Sequence, residues 1–292
     1  MTQNEIDALI RLLDDPDNEI FKIVHKKLLV QGQKIVPQLE ILWSRNSSKI
    51  FHQRIEDLIE SIHYHDIKKE MNLWANQKEN DLLTSAWLLS RYQYRDLEKE
   101  YISEKIDKLR QQILLEMSDS LTNLQKIRVI NHILYTVHQF TGNPQNQYAP
   151  QNCFLNNVLE QKIGNHITIS ILYLILGQQL GLPIYGINLP KNFILAFVEK
   201  SNNAEKAEVL FYINPLNKGA VLGRKEIDMF LEKNKIPPTH EYYKPCTNNI
   251  VIQRLMLRMI QTFTLMEKPE KVADMKNLFN IFPEKIISKT DY

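Results

Sequence analysis

Apolar residues recur at helical spacing from the start of the chain. In "EIDALIRLLDDPDNEIFKIVHKKLLVQG" one stripe holds Ile6, Leu9, Ile10, Leu12 and Leu13. A wider one holds Ile20, Phe21, Ile23, Val24, Leu28 and Leu29. The acidic turn "DDPDN" separates them. Asp17 or Asn18 is placed to cap the second helix, Gly32 to end it and Pro37 to start a third. Two helices about such a turn have the form of a HEAT-like hairpin, with no second clean copy to make a solenoid. Further helices are expected over residues 51–62, 67–75, 82–92, 102–117 and 121–140; Ile102, Ile106, Leu109 and Ile113 share one face.

The pattern changes after residue 140. "TGNPQNQYAPQN" (141–152) is polar and turn-rich. "QKIGNHITISILYLILGQQLGLP" then gives a tight turn at Gly164, one helix and a break at Gly181. Its apolar run, Ile167 to Leu176, is too short to span a bilayer and reads as a buried core helix. Strand-like pieces follow over 184–189, 193–199 and 208–214, with a hairpin loop over 200–207 and a turn in "NPLNKGAVL". Helical spacing returns in "RKEIDMFLEKN" and in the stretch from "IVIQRLMLRMIQTF" onward. The expected class is α+β: an all-helical region over residues 1–140, packed on a second domain over 141–292 that sets a central helix against a small antiparallel sheet.

Charge adds little. The 36 basic and 34 acidic residues leave a formal charge of +2, too weak a field to argue for nucleic acid or a membrane surface. Two cysteines, Cys153 and Cys246, make no disulfide framework and point to a reducing compartment. The opening "TQNEIDALI" lacks the basic start and apolar run of a signal peptide, so a cytoplasmic location is expected. There is no glycine-rich phosphate loop or dinucleotide fingerprint. "HYH" (His63, Tyr64, His65) lacks the cysteines or carboxylates of a metal site. Neither a metal nor another cofactor is expected.

The order of helix, "LGLP", strand, loop, strand and "NP" turn resembles the transglutaminase-like superfamily, and within it the bacterial SirB-type branch. The matching pieces are "TGNPQNQYAPQNCFLNNVLEQKIGNHITISILYLILGQQLGLPIYGINLPKNFILAF" and "YINPLNKGAVLGRKEID". The flanking "LLTSAWLLSRYQYRDL" and "RLMLRMIQTFTLMEKPEKVADMKNLF" extend the likeness over most of the chain from about residue 80. The resemblance implies a papain-like core over 141–292 with C-terminal helices. Active members carry a thiolate at a helix N-terminus, a histidine on a strand and an orienting Asp or Asn at the next turn.

Carried over by position, the thiolate falls on His166, fifteen positions before Gly181. The base falls on Asn192 in "LPKNF", and the orienting group on Asn214 in "INP". An imidazole is no thiolate, and a neutral amide has no useful proton affinity at pH 7; Asn214 could still orient a histidine. The resemblance therefore implies a catalytically inactive transglutaminase-like protein that binds or scaffolds, its partner another protein or a small polar ligand. Cys153, Asn156 and Asn165 are expected as pocket neighbours. Asn152, Asn157 and Asn188 complete an asparagine-rich set that reads either as turn chemistry or as a neutral polar pocket. Two alternatives stand beside this. One is a cysteine-dependent acyl-transfer enzyme or hydrolase using Cys153 with His166. The other is a plain helical-repeat interaction protein.

Overall fold

The first helices form where caps and apolar stripes agree. Thr2 accepts the Glu5 N–H and Glu5 returns the bond to the Thr2 N–H, closing a capping box on α1 (Gln3–Arg11). Asp17 caps α2 (Asn18–Leu29), and α3 (Val36–Arg45) starts with Pro37 in its first turn. The computed structural model describes residues 1–46, 48–199, 208–283 and 286. The hairpin loop expected over 200–207 lies outside them.

One continuous helix, α4 (Lys49–Ala75), replaces the two expected over 51–62 and 67–75. The polar "HYHD" between those apolar stripes contains no glycine or proline, so nothing breaks the backbone there. The remaining elements are α5 (Leu82–Gln93), α6 (Lys99–Glu116), α7 (Asn123–Asn131), β1 (Thr141–Gly142), α8 (Leu155–Gln161), β2 (Ile163–Gly164), α9 (His166–Gln179), β3 (Ile184–Ile187), β4 (Ile194–Val198), β5 (Val209–Asn214), β6 (Ala220–Leu222), α10 (Arg224–Lys233), α11 (Asn248–Leu265) and α12 (Pro269–Phe279). Helix α7 is shorter than the helix expected over 121–140. It runs into a π-helical turn over His132–Val137, and Gln139 adopts φ 57°. The "NPLNKGAVL" turn contributes a strand, β6, that the pattern does not single out.

The chain divides into two compact units, Met1–Asn72 and Leu73–Tyr292. In the first, Ile10, Leu13, Val24, Leu28, Leu39, Ile55 and Leu58 share one core. Arg54 fastens its acidic turn: it is buried, donates to the carbonyls of Leu13 (2.9 Å) and Asp15 and to Asn18 Oδ1 (3.1 Å), and lies over the Phe21 ring. The boundary expected between residues 140 and 141 falls inside the second unit, because α5 and α6 pack against α8 and α9. Their apolar faces complete the core around α9, whose residues Ile167 to Leu176 are all buried. Among the described residues no helix is long and apolar enough to cross a membrane.

The second unit is α+β. Strands β3–β4–β5–β6 form an antiparallel sheet in chain order, with Ile187 opposite Ile194, Leu195 opposite Ile213 and Asn214 opposite Ala220. Short β1 and β2 form a separate parallel pair, Thr141 opposite Ile163. On the sheet, Ile187, Leu189, Ile194, Ala196, Val198 and Tyr212 pack with Ile227 and Leu231 of α10.

Candidate functional site

Helix α9 packs on β3, β4 and the turn Pro215–Asn217. A Cβ on Gly177, near its C-terminal end, would sit 3.1 Å from Ile184 at the start of β3. The helix therefore runs back along the sheet, and its first turn lies toward the end where β3 stops, β4 begins and β5 stops. That geometry brings His166 on α9, Asn192 in the loop before β4 and Asn214 at the end of β5 to one end of the sheet.

The start of α9 is held firmly. Asn165 Oδ1 accepts the N–H groups of Ile167 (2.8 Å) and Thr168 (3.0 Å), and the Asn165 N–H donates to Thr168 Oγ1 (3.0 Å). Asn165 Nδ2 and Thr168 Oγ1 both donate to the Asn152 carbonyl, at 3.1 and 2.7 Å. Asn165, Thr168 and Asn152 are all buried. The cap thus also anchors the loop after β1 to the helix. His166, the first helical residue, is part-exposed.

The other two positions do local work. Asn192 Oδ1 accepts the Phe193 N–H (2.9 Å) at the entrance to β4. Asn214 Oδ1 accepts the Asn217 N–H (3.3 Å) and caps the turn after β5. That turn is tied to α9 from the other side. Buried Tyr173 donates to Asn131 Oδ1 (3.1 Å), and Asn131 Nδ2 donates to the Gly219 carbonyl (2.9 Å). Gly219 has φ +70°, and a Cβ there would overlap the Asn131 carboxamide. Burial holds the Tyr173 phenol protonated well above its ordinary range.

Most of the asparagine-rich set proves to be turn and cap chemistry. Asn152, Asn157 and Asn165 hydrogen-bond within the fold: Asn152 Nδ2 to the Asn146 carbonyl (3.0 Å), and Asn157 Nδ2 to the Tyr94 hydroxyl (2.7 Å). Asn156 Nδ2 donates to Asn157, but its buried Oδ1 has no hydrogen-bond partner, and neither has Asn188 Oδ1.

Cys153 is not placed to act as a relocated nucleophile. It is 2% exposed, its Sγ lies 3.5 Å from Asn165 Nδ2 and 3.9 Å from Thr262 Oγ1, and burial pushes the thiol from its ordinary 9.0 up to about 11. At pH 8 such a thiol holds roughly a hundredth of the thiolate of an unshifted one, before burial limits access further. Alkylation by iodoacetamide is therefore expected at least about a hundredfold slower at Cys153 than at a free model thiol. Labelling at the model rate would contradict the packed assignment.

Two charged groups at this site escape the sequence reading. In "RLMLR" of α11, Arg254 and Arg258 stand one helical turn apart within an otherwise apolar run. Arg254 is buried, with Nη2 3.4 and 3.5 Å from the carbonyls of Leu189 and Asn192. Arg258 stacks on the Tyr148 ring, its Cζ 4.9 Å from the centroid. An i, i+4 arginine pair inside a hydrophobic helix is the signal that finds them.

A helix N-terminus facing the ends of an antiparallel sheet is the arrangement the resemblance implies, and a family model described as the transglutaminase-like superfamily matches residues 100–257. The chain belongs to that superfamily. The matched segment opens in α6 and closes in α11, so it contains α9, the sheet and Arg254, and it stops one residue before Arg258. Among curated relatives, a UPF0162 protein of Xylella fastidiosa (strain Temecula1 / ATCC 700964) is 24% identical over 160 residues, 53% of this chain and 54% of the relative. A UPF0162 protein of Vibrio cholerae is 22% identical over 157 residues, 54% of this chain and 56% of the relative. F-box only protein 21 of Mus musculus is 32% identical over 108 residues, 37% of this chain and 17% of that protein. The chain spans about half the length of the UPF0162 relatives. No solved structure matches it.

Proposed function

We propose that this transglutaminase-like domain is catalytically silent and acts as a binding or scaffolding module. The observation that carries the reading is the side-chain chemistry at the end of the sheet that α9 faces. The first residue of α9 is a histidine, and the residue entering β4 is an asparagine whose oxygen already accepts a backbone N–H. Acyl transfer by a papain-type route needs a thiolate and a base at those two places. The neighbouring cysteine is buried and protonated. The partner is another protein or a small polar ligand, and the SirB-type branch is the placement within the superfamily that this reading favours.

Turnover of thioester and amide acyl donors tests it. The natural chain and a His166→Ala variant are expected to give the same background rate. Turnover that the variant loses would overturn the reading.

A further inference from the structure

The charge on α11 calls for an explanation that the fold does not supply. Arg258 Nη1 is buried with no hydrogen-bond partner, and among the described residues Arg258 forms no ion pair. Burying a guanidinium N–H without an acceptor is unfavourable, and the rest of the Arg258 side chain is part-exposed. Tyr148 covers one flat face of the group and is itself exposed, so the guanidinium lies at the edge of the domain. The charge of Arg258 also acts on Cys153, whose Sγ touches Asn165 at the start of α9. One turn earlier on α11, Arg254 reaches the carbonyls of Leu189 and Asn192, the segment entering β4. Asn188 precedes that segment with its own buried Oδ1 unpartnered. The arginine pair thus stands between the loop before α8 and the segment holding the base position.

We propose that Arg258, beneath Tyr148, is the anchor of an anion site on α11 whose ligand is a carboxylate. The guanidinium edge presents planar N–H donors that match two carboxylate oxygens, while the Tyr148 ring holds its face. Arg254 is already engaged with two carbonyls, so Arg258 offers the single unengaged fork, room for one bidentate pair. One planar fork matches the two coplanar oxygens of a carboxylate and leaves the further oxygens of a phosphate unmatched. The carboxylate can come from a small organic acid or from the C-terminus of a peptide; the surrounding groups recognise the same atoms in both.

This inference deepens the binding reading by naming the ligand's chemistry, and binding is measured without reference to turnover, so either can fail alone. The probes are acetate, succinate, inorganic phosphate, and a short neutral peptide with either a free or an amidated C-terminus. Each is titrated at constant ionic strength against the full chain and followed by calorimetry and melting temperature. The expected result is saturable binding of a carboxylate probe, weakened at least tenfold by Arg258→Gln and several-fold by Tyr148→Ala. Tyr148→Ala removes an exposed ring and tests the site even if Arg258→Gln does not fold. Binding of the free-acid peptide but not its amide identifies a peptide terminus as the source; succinate or acetate binding more tightly than the peptide identifies a small acid. The proposal is overturned if no carboxylate saturates the protein, if phosphate binds more tightly than every carboxylate, or if Tyr148→Ala and every folded Arg258 variant bind as the natural chain does.

Discussion

Gly219→Ala is expected to destabilise the second unit by about 3–4 kcal/mol. Two costs combine. A left-handed alanine costs roughly 1–2 kcal/mol, and Gly219 sits at φ +70°. The new Cβ also displaces the Asn131 carboxamide, which at present bridges the Tyr173 hydroxyl to the Gly219 carbonyl. Losing buried bonds of that kind costs about 1–3 kcal/mol. For a unit of this size the melting temperature should fall by about 6–15 °C. The two costs separate in a double-mutant cycle. In an Asn131→Ala background the overlap is gone, so the glycine substitution should cost only its backbone share. Strict additivity would show that Asn131 is not the obstacle.

Asn165→Ala is expected to cost about 2–3 kcal/mol. The side chain is a buried helix cap, and cap loss alone costs about 1 kcal/mol. It also removes the Nδ2 donor to the Asn152 carbonyl and the contact with Cys153 Sγ. Asn165→Ser should restore the cap but not the second set of contacts, and so recover about 1 kcal/mol of the loss. Denaturant unfolding of the three proteins measures both steps. If serine and alanine were equally damaging, the cap would contribute nothing and the anchoring of the loop would account for the whole effect.

The sequence makes the central helix, the three main strands and the order of the pieces legible because each rests on a strong local signal. "ITISILYLIL" is apolar on every side, and Gly181, at φ +64°, ends its helix where the pattern breaks. "FILAFV" and "FYIN" are rich in β-branched and aromatic residues. Elements without such a signal are hidden. Strand β6 has three residues, β1 and β2 have two each, and all exist because a partner strand supplies their hydrogen bonds. The continuity of α4 is missed because its stripe of buried residues is interrupted by histidines, one of which, His63, is itself buried. The domain division is obscured for a related reason: helices α5 to α7 look like those before them, and only packing assigns them to the unit around α9.

At the candidate site, His166, Asn192 and Asn214 are named through the family resemblance, but their environment is not. That Asn192 and Asn214 spend their oxygens on backbone N–H groups depends on strand ends that pattern reading leaves uncertain by a residue or two. The Tyr173–Asn131–Gly219 link joins residues far apart in the chain, so no local motif announces it, whereas the arginines of α11 carry a local signal in their i, i+4 spacing.

The first turn of α9 either performs chemistry or does not. The direct measurement is single-turnover and steady-state acyl transfer from activated thioesters and amides, across pH 6 to 9. It compares the natural chain with His166→Ala and Cys153→Ser, each checked for an unchanged melting temperature. The expected result is one common background rate for all three proteins at every pH. A rate above background that either substitution abolishes, with the fold intact, would contradict it and return the site to the enzymes.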